Sequence, residues 1–363
     1  MPKFSIIIPC YNQAHFLNDA LQSLLLQSFT DWEAIIVNDG SSDDTSLVAN
    51  QWTKRDNRVR LVEQKNAGLS AARNTGIAAA SGLYVALLDA DDKYCSDFLQ
   101  SVNTHLDQGF GLVCCGYTYF NTKGTIHRIV RQSKQLEFNS ILTGNLFPPV
   151  AVAFQRQVLD KTGLFDTDLK SAEDWDLWIR MFKAGIKISI IENSLVYYRI
   201  SDNSMSRQAF TMYAALKKVA QRACQEDDRL SFSVTAGEEA AGELSATVKR
   251  MLLMCMGVAV MQGKIEQAIE LMHQEFGEWG FDLHPEDFKY MCSYLSFRYQ
   301  VSNEDLKWIK DELMPLFRLF LEKLAWQNLD NKKAFTAVFS IHHKLMIRNK
   351  WGFTSPLINR FNW

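Results

Sequence analysis

The chain has 363 residues, of which 47% are hydrophobic and 22% charged, and its formal net charge is −2. This length and apolar content predict a globular protein of two domains. The balanced charge argues against a general nucleic-acid-binding protein, which needs a strongly basic face. The seven cysteines are odd in number and form no CxxC pair, so we expect buried thiols in a reducing compartment rather than disulfides or zinc sites.

The N-terminus begins directly with a strand-like run at Phe4–Ile8 and shows no basic segment followed by a long apolar one. A secretory signal is therefore not expected. The longest strongly apolar stretch, Met251 to Met261, is too short to span a bilayer. We therefore expect a soluble or peripheral protein in the cytoplasm.

The first 90 residues alternate between strand-like and helix-like patterns. The β-branched run at 4–9 is typical of a buried parallel strand, and the apolar spacing over 16–25 is helical. Further strands are predicted at 32–37, 59–63 and 84–88, with helices at 47–52 and 69–80. This alternation predicts a parallel sheet covered by helices, with a ligand site beyond the carboxyl ends of the strands, where Asp39, Glu63 and Asp89 lie.

A mixed α+β section follows, and the character of the sequence changes near residue 210. The mixed section is predicted to contain strands at 111–119, 150–155 and 186–198 and helices at 137–143 and 175–183. Beyond Ser206 the chain carries long helical patterns and few prolines. We therefore predict an α/β domain over residues 1–210 and an all-α domain over residues 211–363.

An acidic cluster, Asp89-Ala90-Asp91-Asp92, follows the predicted strand at 84–88. Carboxylates this close repel one another unless a cation or hydrogen-bond donors compensate. One or two carboxylates together with a diphosphate commonly hold Mg²⁺ or Mn²⁺. The alternative is a solvated turn or a helix cap, and the position after the fourth strand favours function over that alternative.

Two further polar side chains belong to the same series of strand ends and helices. Asp39 could accept donors from a base or ribose, or it could cap the next helix. Arg73 lies in a helix rich in small residues and could donate to a phosphate or base, or form a surface salt bridge. Gly68 and Gly76 are expected to serve the backbone and close packing.

A second acidic centre, Glu173-Asp174-Trp175-Asp176, opens the predicted helix at 175–183. Acidic residues there interact favourably with the helix dipole, which is the structural interpretation. The functional interpretation makes Asp174 a general base that deprotonates an acceptor hydroxyl. Trp175 and Trp178 share one helical face and belong either to the core or to a sugar-stacking platform.

Taken together, these segments resemble family 2 glycosyltransferases with the GT-A fold, a mixed sheet flanked by helices. Each matching segment is weak alone, but the set occurs in the order found in that family and covers about residues 3–207. The matching segments are Phe4–Asn12, Ile35–Thr45, Asn66–Gly76, Leu87–Asp92, Gly163–Asp166, Glu173–Arg180 and Tyr198–Arg199.

The resemblance implies an inverting, metal-dependent transfer of a sugar from a nucleoside diphosphate, with UDP the expected nucleotide. It implies that Pro9, Tyr11 and Asp39 frame the base, that Arg73 contacts the nucleotide and that Asp89 lies beside the ribose. It further implies that Asp91 ligates Mn²⁺ or Mg²⁺, that Asp174 is the catalytic base and that Glu173 lies near the acceptor. A glycan or lipid-linked acceptor and a role in cell-surface polysaccharide or glycoconjugate synthesis follow from the same resemblance.

The sequence departs from the family pattern in the loop that ends the first domain. Many members carry a histidine two residues after the tyrosine-arginine pair, whereas this chain has Ser201. The donors that close over a diphosphate could therefore be altered, with Asn203, Ser204 and Ser206 as substitutes. This departure leaves an alternative function open, namely a catalytically impaired protein that only binds a sugar nucleotide or acts as a scaffold.

The last 33 residues form a basic, aromatic tail with no acidic residue after Asp330. One helical stripe within it contains Phe335, Val338, Phe339, His342 and Leu345. Such a tail suits an anionic membrane surface, whereas the alternative is a helix docked on its own domain. A nucleotidyltransferase is a rival for the first domain, but Cys10–Ala14 stands where such an enzyme needs a glycine- and arginine-rich loop.

Overall fold

A computed structural model describes residues 1–340 except 122, 123, 125, 133–139, 142, 143, 201–207, 231–237, 298–302, 327, 328 and 339. The chain divides into two compact units. The first comprises residues 1–125, 129–201 and 218–240, and the second comprises 126–128, 202–217 and 241–363. The division at residue 210 into a catalytic and an accessory domain remains a prediction.

The first unit contains a nine-stranded sheet except for residues 126–128, and its first four strands and three helices match the predicted series closely. Its strands are β1 (Phe4–Cys10), β2 (Trp32–Asp39), β3 (Val59–Gln64), β4 (Tyr84–Leu87), β5 (Lys93–Tyr94), β6 (Leu112–Asn121), β7 (Ile126–Val130), β8 (Val152–Gln155) and β9 (Ile188–Ile200). Its helices are α1 (Ala14–Leu25), α2 (Thr45–Arg55), α3 (Leu69–Ala79), α4 (Phe98–Asp107), α5 (Leu159–Thr162) and α6 (Glu173–Lys183). Short 3₁₀ turns at Pro149–Ala151 and Arg156–Val158 flank β8.

The sheet is mixed, with the strand order β3-β2-β1-β4-β8-β6-β9-β5 and with β7 off this path. Strands β3, β2, β1 and β4 are parallel, with Phe4 paired to both Trp32 and Tyr84. Strand β8 is antiparallel to β4 and β6, whereas β6 and β9 are parallel. The four parallel strands therefore end at one edge of the sheet, where the polar side chains that follow them meet.

Alternate residues of β1 contribute to two apolar clusters, one on each face of the sheet. Ile6 and Ile8 pack with residues of α1, α2 and α4, whereas Ile7 packs with residues of α3 and α6. Helices thus cover both faces, which is why the central strands are mostly apolar. Gly76 allows α3 to approach β1 closely, since a Cβ there would lie 2.4 Å from Cγ2 of Ile7.

Apart from residues 126–128, which belong to β7, the described part of the second unit consists of helices and connecting turns, as predicted for the C-terminal part. Helix α7 (Ala209–Ala223) contributes its first nine residues to this unit. It is followed by α8 (Glu238–Met261), α9 (Ile265–Trp279), a 3₁₀ segment (Pro285–Phe297), α10 (Asn303–Trp308), a π-helical turn (Ile309–Leu313) and α11 (Met314–Leu324). Within this unit Glu275 of α9 accepts hydrogen bonds from Tyr213 and Lys217 of α7.

One helix of the described part is long and apolar enough to cross a bilayer, over Glu243–Met261. The predicted apolar stretch, Met251 to Met261, was therefore too short, because the apolar part of the helix begins earlier, at Glu243. Most residues of this stretch are buried within the protein, as in the core helix of a globular domain. Membrane crossing consequently finds only weak support.

The described part of the C-terminal stripe ends at Ser340. Residues 331–338 are helical, and Ala334, Ala337 and Val338 are buried in the protein. This arrangement favours a docked helix for that part of the stripe. Phe339 and all residues after Ser340, including His342 and Leu345 of the stripe, lie outside the described residues.

Candidate active site

The carboxyl end of β2 presents Asp39 to the turn that precedes α3. Asp39 is 3% exposed, and its carboxylate accepts hydrogen bonds from the Gln64 amide (2.7 Å) and from the backbone N–H groups of Ala67 and Gly68 (2.8 and 2.9 Å). Asp39 therefore does not cap the helix that follows β2, which was the structural alternative. It fixes the turn from which α3 begins.

Arg73 joins the two acidic stretches of the sequence. Its guanidinium donates to both carboxylate oxygens of Asp89 (2.8 and 3.0 Å) and to Oε1 of Glu173 (2.5 Å). Arg73 is 1% exposed, so the alternative of a surface salt bridge is wrong and the pairing is a buried one. Although burial alone would lower the pKa of Arg73, the charges of Asp89 and Glu173 raise it above its usual value. The end of β4 and the start of α6 therefore share one edge of the sheet.

The turn after β4 contains two carboxyl groups without full charge compensation. Burial and the negative charge of Asp89 raise the pKa of Asp91 to about 6. Burial and the charges of Asp91 and Asp89 raise the pKa of Asp92 well above its usual range. Asp92 accepts a hydrogen bond from the backbone N–H of Arg199, and its buried Oδ2 has no hydrogen-bond partner. This turn thus concentrates negative charge that a cation would stabilise.

Arg199 attaches the end of β9 to this turn. Its Nε donates to the carbonyl oxygen of Asp91 (2.6 Å), and its Nη2 donates to Asp19 of α1 (3.1 Å). The guanidinium also lies over the rings of Phe16 and Phe120. Arg199 therefore connects the end of β9 to the turn after β4 and to α1.

Asp174 is the second residue of α6, after Glu173. The residue before the helix, Ala172, has the left-handed backbone conformation (φ 57°). Oδ1 of Asp174 accepts from the N–H of Trp175 and its Oδ2 accepts from the amide of Asn145, each at 2.7 Å. Burial and the adjacent Glu173 raise the pKa of Asp174 to about 7. A carboxylate with a pKa near neutrality is suited to accept a proton from a hydroxyl.

The two tryptophans of α6 belong to the core rather than to a sugar-stacking platform. Trp175 and Trp178 are 0% and 2% exposed. Their indole N–H groups donate to the backbone carbonyls of Ile141 and Phe147. The core alternative is therefore confirmed, and the platform alternative is wrong for these two side chains.

Tyr198 of β9 belongs to the matching segment Tyr198–Arg199, but no role for it was predicted from the sequence. Burial, followed by the charges of Asp92, Asp91, Asp89 and Asp174, raises the pKa of its phenol well above the usual value. Both acidic stretches therefore act on one side chain of β9. The Tyr198 ring also packs edge-on against Tyr117 and Tyr119.

The remaining predicted residues follow the first strand. Pro9 is buried in β1 beside Val37 of β2, whereas Tyr11 is 51% exposed just beyond the strand end. Asp43, just before α2, accepts hydrogen bonds from the backbone N–H groups of Ala14 and Thr45. Ser201, Asn203, Ser204 and Ser206 lie outside the described residues.

The turn after β4 has the donor chemistry for a divalent cation shared with a substrate. Asp91 supplies a carboxylate whose ionisation is opposed by burial and by Asp89, and Mg²⁺ and Mn²⁺ prefer such oxygen ligands. Among the described residues, no group of three or more His, Cys, Asp or Glu side chains could hold a metal ion. A site of this kind fits a metal whose coordination is completed by a diphosphate.

Comparison with known proteins agrees with this fold. Residues 5–162 match the family described as glycosyl transferase family 2. The chain is 30% identical over 209 residues to the putative teichuronic acid biosynthesis glycosyltransferase TuaG of Bacillus subtilis, a match covering 56% of this chain and 82% of that protein. It is also 32% identical over 222 residues to the uncharacterized glycosyltransferase EpsJ of Bacillus subtilis, covering 57% of this chain but only 63% of that relative.

Two solved structures share the fold. The S. aureus TarS 1–349 complex with UDP superposes with a TM-score of 0.56 at 16% identity, covering 96% of this chain and 92% of TarS. The mannosyltransferase PcManGT of Pyrobaculum calidifontis, in complex with GDP-Man and Mn²⁺, superposes with a TM-score of 0.55 at 17% identity, covering 97% and 88%. The predicted GT-A-type sheet flanked by helices is thereby confirmed.

The mixed sheet and its acidic edge define a protein of the sugar-nucleotide transferase class. The match to TuaG, together with the match over residues 5–162, identifies the family. The chain belongs to glycosyl transferase family 2.

Proposed function

We propose that this protein transfers a sugar from a nucleoside-diphosphate sugar to an acceptor hydroxyl with inversion at the anomeric carbon. The observation that carries the proposal is the pairing of Arg73 with both Asp89 and Glu173. This pairing brings the donor-side turn after β4 and the acceptor-side start of α6 to one edge of the sheet. A donor diphosphate and a proton acceptor could then serve the same reaction.

Asp174 is the proposed catalytic base, with Glu173 beside the acceptor. Its pKa of about 7 leaves a substantial ionised fraction at neutral pH and a basicity suited to a hydroxyl proton. As the acceptor oxygen attacks the anomeric carbon, its proton would pass to Asp174 while the bond to the diphosphate breaks. One displacement from the face opposite the leaving group inverts the anomeric centre.

Asp91 is the proposed protein ligand of Mn²⁺ or Mg²⁺, with Asp89 beside the ribose and Pro9, Tyr11 and Asp39 around the base. A bound divalent cation offsets the negative charge that develops on a leaving diphosphate. Arg73 is the proposed nucleotide contact. Asp89 and Glu173 already occupy two of its guanidinium nitrogens, which limits the donors that it can offer to the nucleotide.

The comparisons suggest the classes of donor and acceptor. TarS has been solved with UDP and UDP-GlcNAc, and PcManGT with GDP-Man, so we propose a nucleoside-diphosphate donor with UDP as the first candidate. The name of TuaG refers to teichuronic acid biosynthesis, which suggests a cell-surface polysaccharide or a related lipid-linked glycan as acceptor. We propose that the protein acts in the cytoplasm, and contact of its basic tail with the inner membrane face is a further proposal.

Substitution of the base tests this function. Asp174→Asn is expected to lower kcat by roughly 10²–10⁴-fold, because general-base catalysis contributes about that much. Donor binding measured by calorimetry with UDP and Mn²⁺ is expected to persist. Asp160→Asn, on the exposed surface of α5, is the matched control and is expected to keep full activity.

The result also separates the enzyme from a protein that only binds a sugar nucleotide. Wild-type protein that binds UDP with Mn²⁺ but neither hydrolyses nor transfers any UDP- or GDP-sugar would favour the binding protein. An Asp174→Asn variant with unchanged turnover would exclude Asp174 as the base while leaving the transferase class intact.

A further inference from the structure

The start of α6 is attached to the segment 141–147 by three side-chain hydrogen bonds. The indole of Trp175 donates to the carbonyl of Ile141 (2.7 Å), and that of Trp178 donates to the carbonyl of Phe147 (3.2 Å). Between these two, the Asn145 amide donates to Oδ2 of Asp174 (2.7 Å). Only the middle bond involves a group that the proposed reaction uses.

The orientation of the Asn145 amide is determined by its own second hydrogen bond. Its Oδ1 accepts from the backbone N–H of Phe147 (3.4 Å), which leaves the NH₂ group facing the Asp174 carboxyl. A reversed amide would place two oxygens against each other. Asn145 is itself exposed, and its neighbour Phe147 is buried. The amide is therefore held by the backbone rather than by burial.

We propose that Asn145 is a positioning residue for the base, holding the Asp174 carboxylate in the orientation in which it receives the acceptor proton. This inference rests on the proposed role of Asp174. No local pattern indicates this role, because Asn145 and Asp174 are 29 residues apart and meet only in the folded chain.

The same hydrogen bond has a defined effect on ionisation. A donor that binds the carboxylate favours its charged form, so the Asn145 amide lowers the pKa of Asp174 against the opposing effects of burial and Glu173. Arg73 is a charged group that also lowers the pKa of Asp174, and the charge of Asp174 in turn contributes to the raised pKa of the Tyr198 phenol on β9. Removal of the amide alone therefore moves the Asp174 pKa upward.

The test is the pH profile of kcat for Asn145→Ala in the full-length protein with a UDP-sugar donor and Mn²⁺. A hydrogen bond to a charged group corresponds to about one pKa unit, so the acidic limb is expected about one pH unit higher than in wild type. Turnover at neutral pH would fall at least about five-fold, and the part of this loss that comes from protonation of Asp174 would be regained in alkaline buffer. The donor KM is expected to change little.

Controls separate this role from a purely structural one. Asn50→Ala removes an exposed amide that donates to a carbonyl within α2, and it is expected to leave the profile unchanged. A loss of kcat in Asn145→Ala that is equal at every pH, or a profile identical to wild type, would overturn the proposal. An Asp174→Asn variant that keeps full turnover would instead overturn the base itself, so the two failures are distinguishable.

Discussion

At the scale of single residues, the ionisation of Asp174, the proposed base, affects the stability of the fold. Its pKa is about 7 in the folded protein against a usual value of 3.8, so the folded state holds the proton more tightly than the unfolded state. The stability contribution of this carboxyl is then fully present below its unfolded pKa. It is lost as pH rises through the folded value.

Asp174→Asn is therefore expected to become more stable relative to wild type as pH rises from about 5 to about 8. The relative gain is about 1–3 kcal/mol, because the uncharged amide avoids the cost of burying a carboxylate. Urea unfolding at both pH values measures this gain. A stability difference that is independent of pH, or one that grows toward low pH, would contradict the raised pKa.

Arg73 provides a second prediction at the residue scale. Its side chain is 1% exposed and pairs with two carboxylates, of which that of Glu173 is 5% exposed. Arg73→Met leaves these charges without their cation, so we expect a loss of about 3–5 kcal/mol in the free energy of unfolding. Arg60→Met is the matched control, because Arg60 pairs with Glu33 from a side chain that is 47% exposed.

The Arg60→Met variant is expected to lose at most about 1 kcal/mol, because Arg60 is half exposed and Ser5 and Ser81 still donate to the Glu33 carboxylate. Equal losses in the two variants, measured by urea unfolding, would mean that the pairing of Arg73 is not buried in solution. The same measurement with and without UDP and Mn²⁺ shows whether nucleotide binding depends on the pairing.

At the scale of elements, the close approach of α3 to the sheet determines where Arg73 lies. A Cβ at Gly76 would lie 2.4 Å from Ile7 and 3.2 Å from Val37. Gly76→Val is expected to displace α3 and to destabilise the protein by about 1–3 kcal/mol. Ala78→Val adds the same isopropyl group at an exposed position of α3, and it should cost only the helix propensity of valine, about 0.5 kcal/mol.

Activity distinguishes the two valine variants further. Displacement of α3 moves Arg73, so Gly76→Val is expected to lower kcat/KM as well as Tm, whereas Ala78→Val keeps both near wild type. A Gly76→Val variant with the Tm of wild type would show that α3 does not pack this closely on β1.

The bounds of helices and strands were predictable where local sequence patterns determine them. They were less predictable where pairing between distant strands determines them. The strands β1 to β4 and helices α1 to α3 lie within about three residues of their predicted ends, because apolar runs and turn residues mark them. Helix α4 was missed, although Phe98, Leu99, Val102 and Leu106 have helical spacing and are buried. The antiparallel placement of β8 depends on its pairing with β4 and β6, which no local pattern encodes.

The same distinction holds for the candidate site. The positions of Asp39, Asp89 and Asp174 at element ends could be predicted from strand and helix boundaries. The shared contact of Arg73 with Asp89 and Glu173 spans 100 residues of sequence and needed the folded chain. The hydrogen bond of Asn145 and the effect of both acidic stretches on Tyr198 are of the same kind.

At the scale of the whole molecule, residues 218–240 belong to the first unit although they follow the predicted boundary at 210. Asp176 of α6 is 2% exposed and pairs with Arg222 and Arg229 as well as with Arg180. The Nζ of Lys183, at the end of α6, donates to the backbone carbonyls of Arg222 and Gln225. The helix that carries Asp174 is therefore held from beyond residue 210.

A chain ending at residue 240 is consequently expected to be more stable than one ending at 210. The shorter chain loses two cations from a buried carboxylate, which costs about 3–5 kcal/mol, or about 10 °C in Tm for a domain of this size. Thermal unfolding followed by circular dichroism measures the difference.

In the full-length protein, Arg229→Met is also expected to lower Tm, since it removes one of those cations without shortening the chain. Equal melting temperatures of the two shortened chains, together with an unchanged Tm for Arg229→Met, would place the structural end of the first unit at 210 and would leave α6 to be held by the sheet alone.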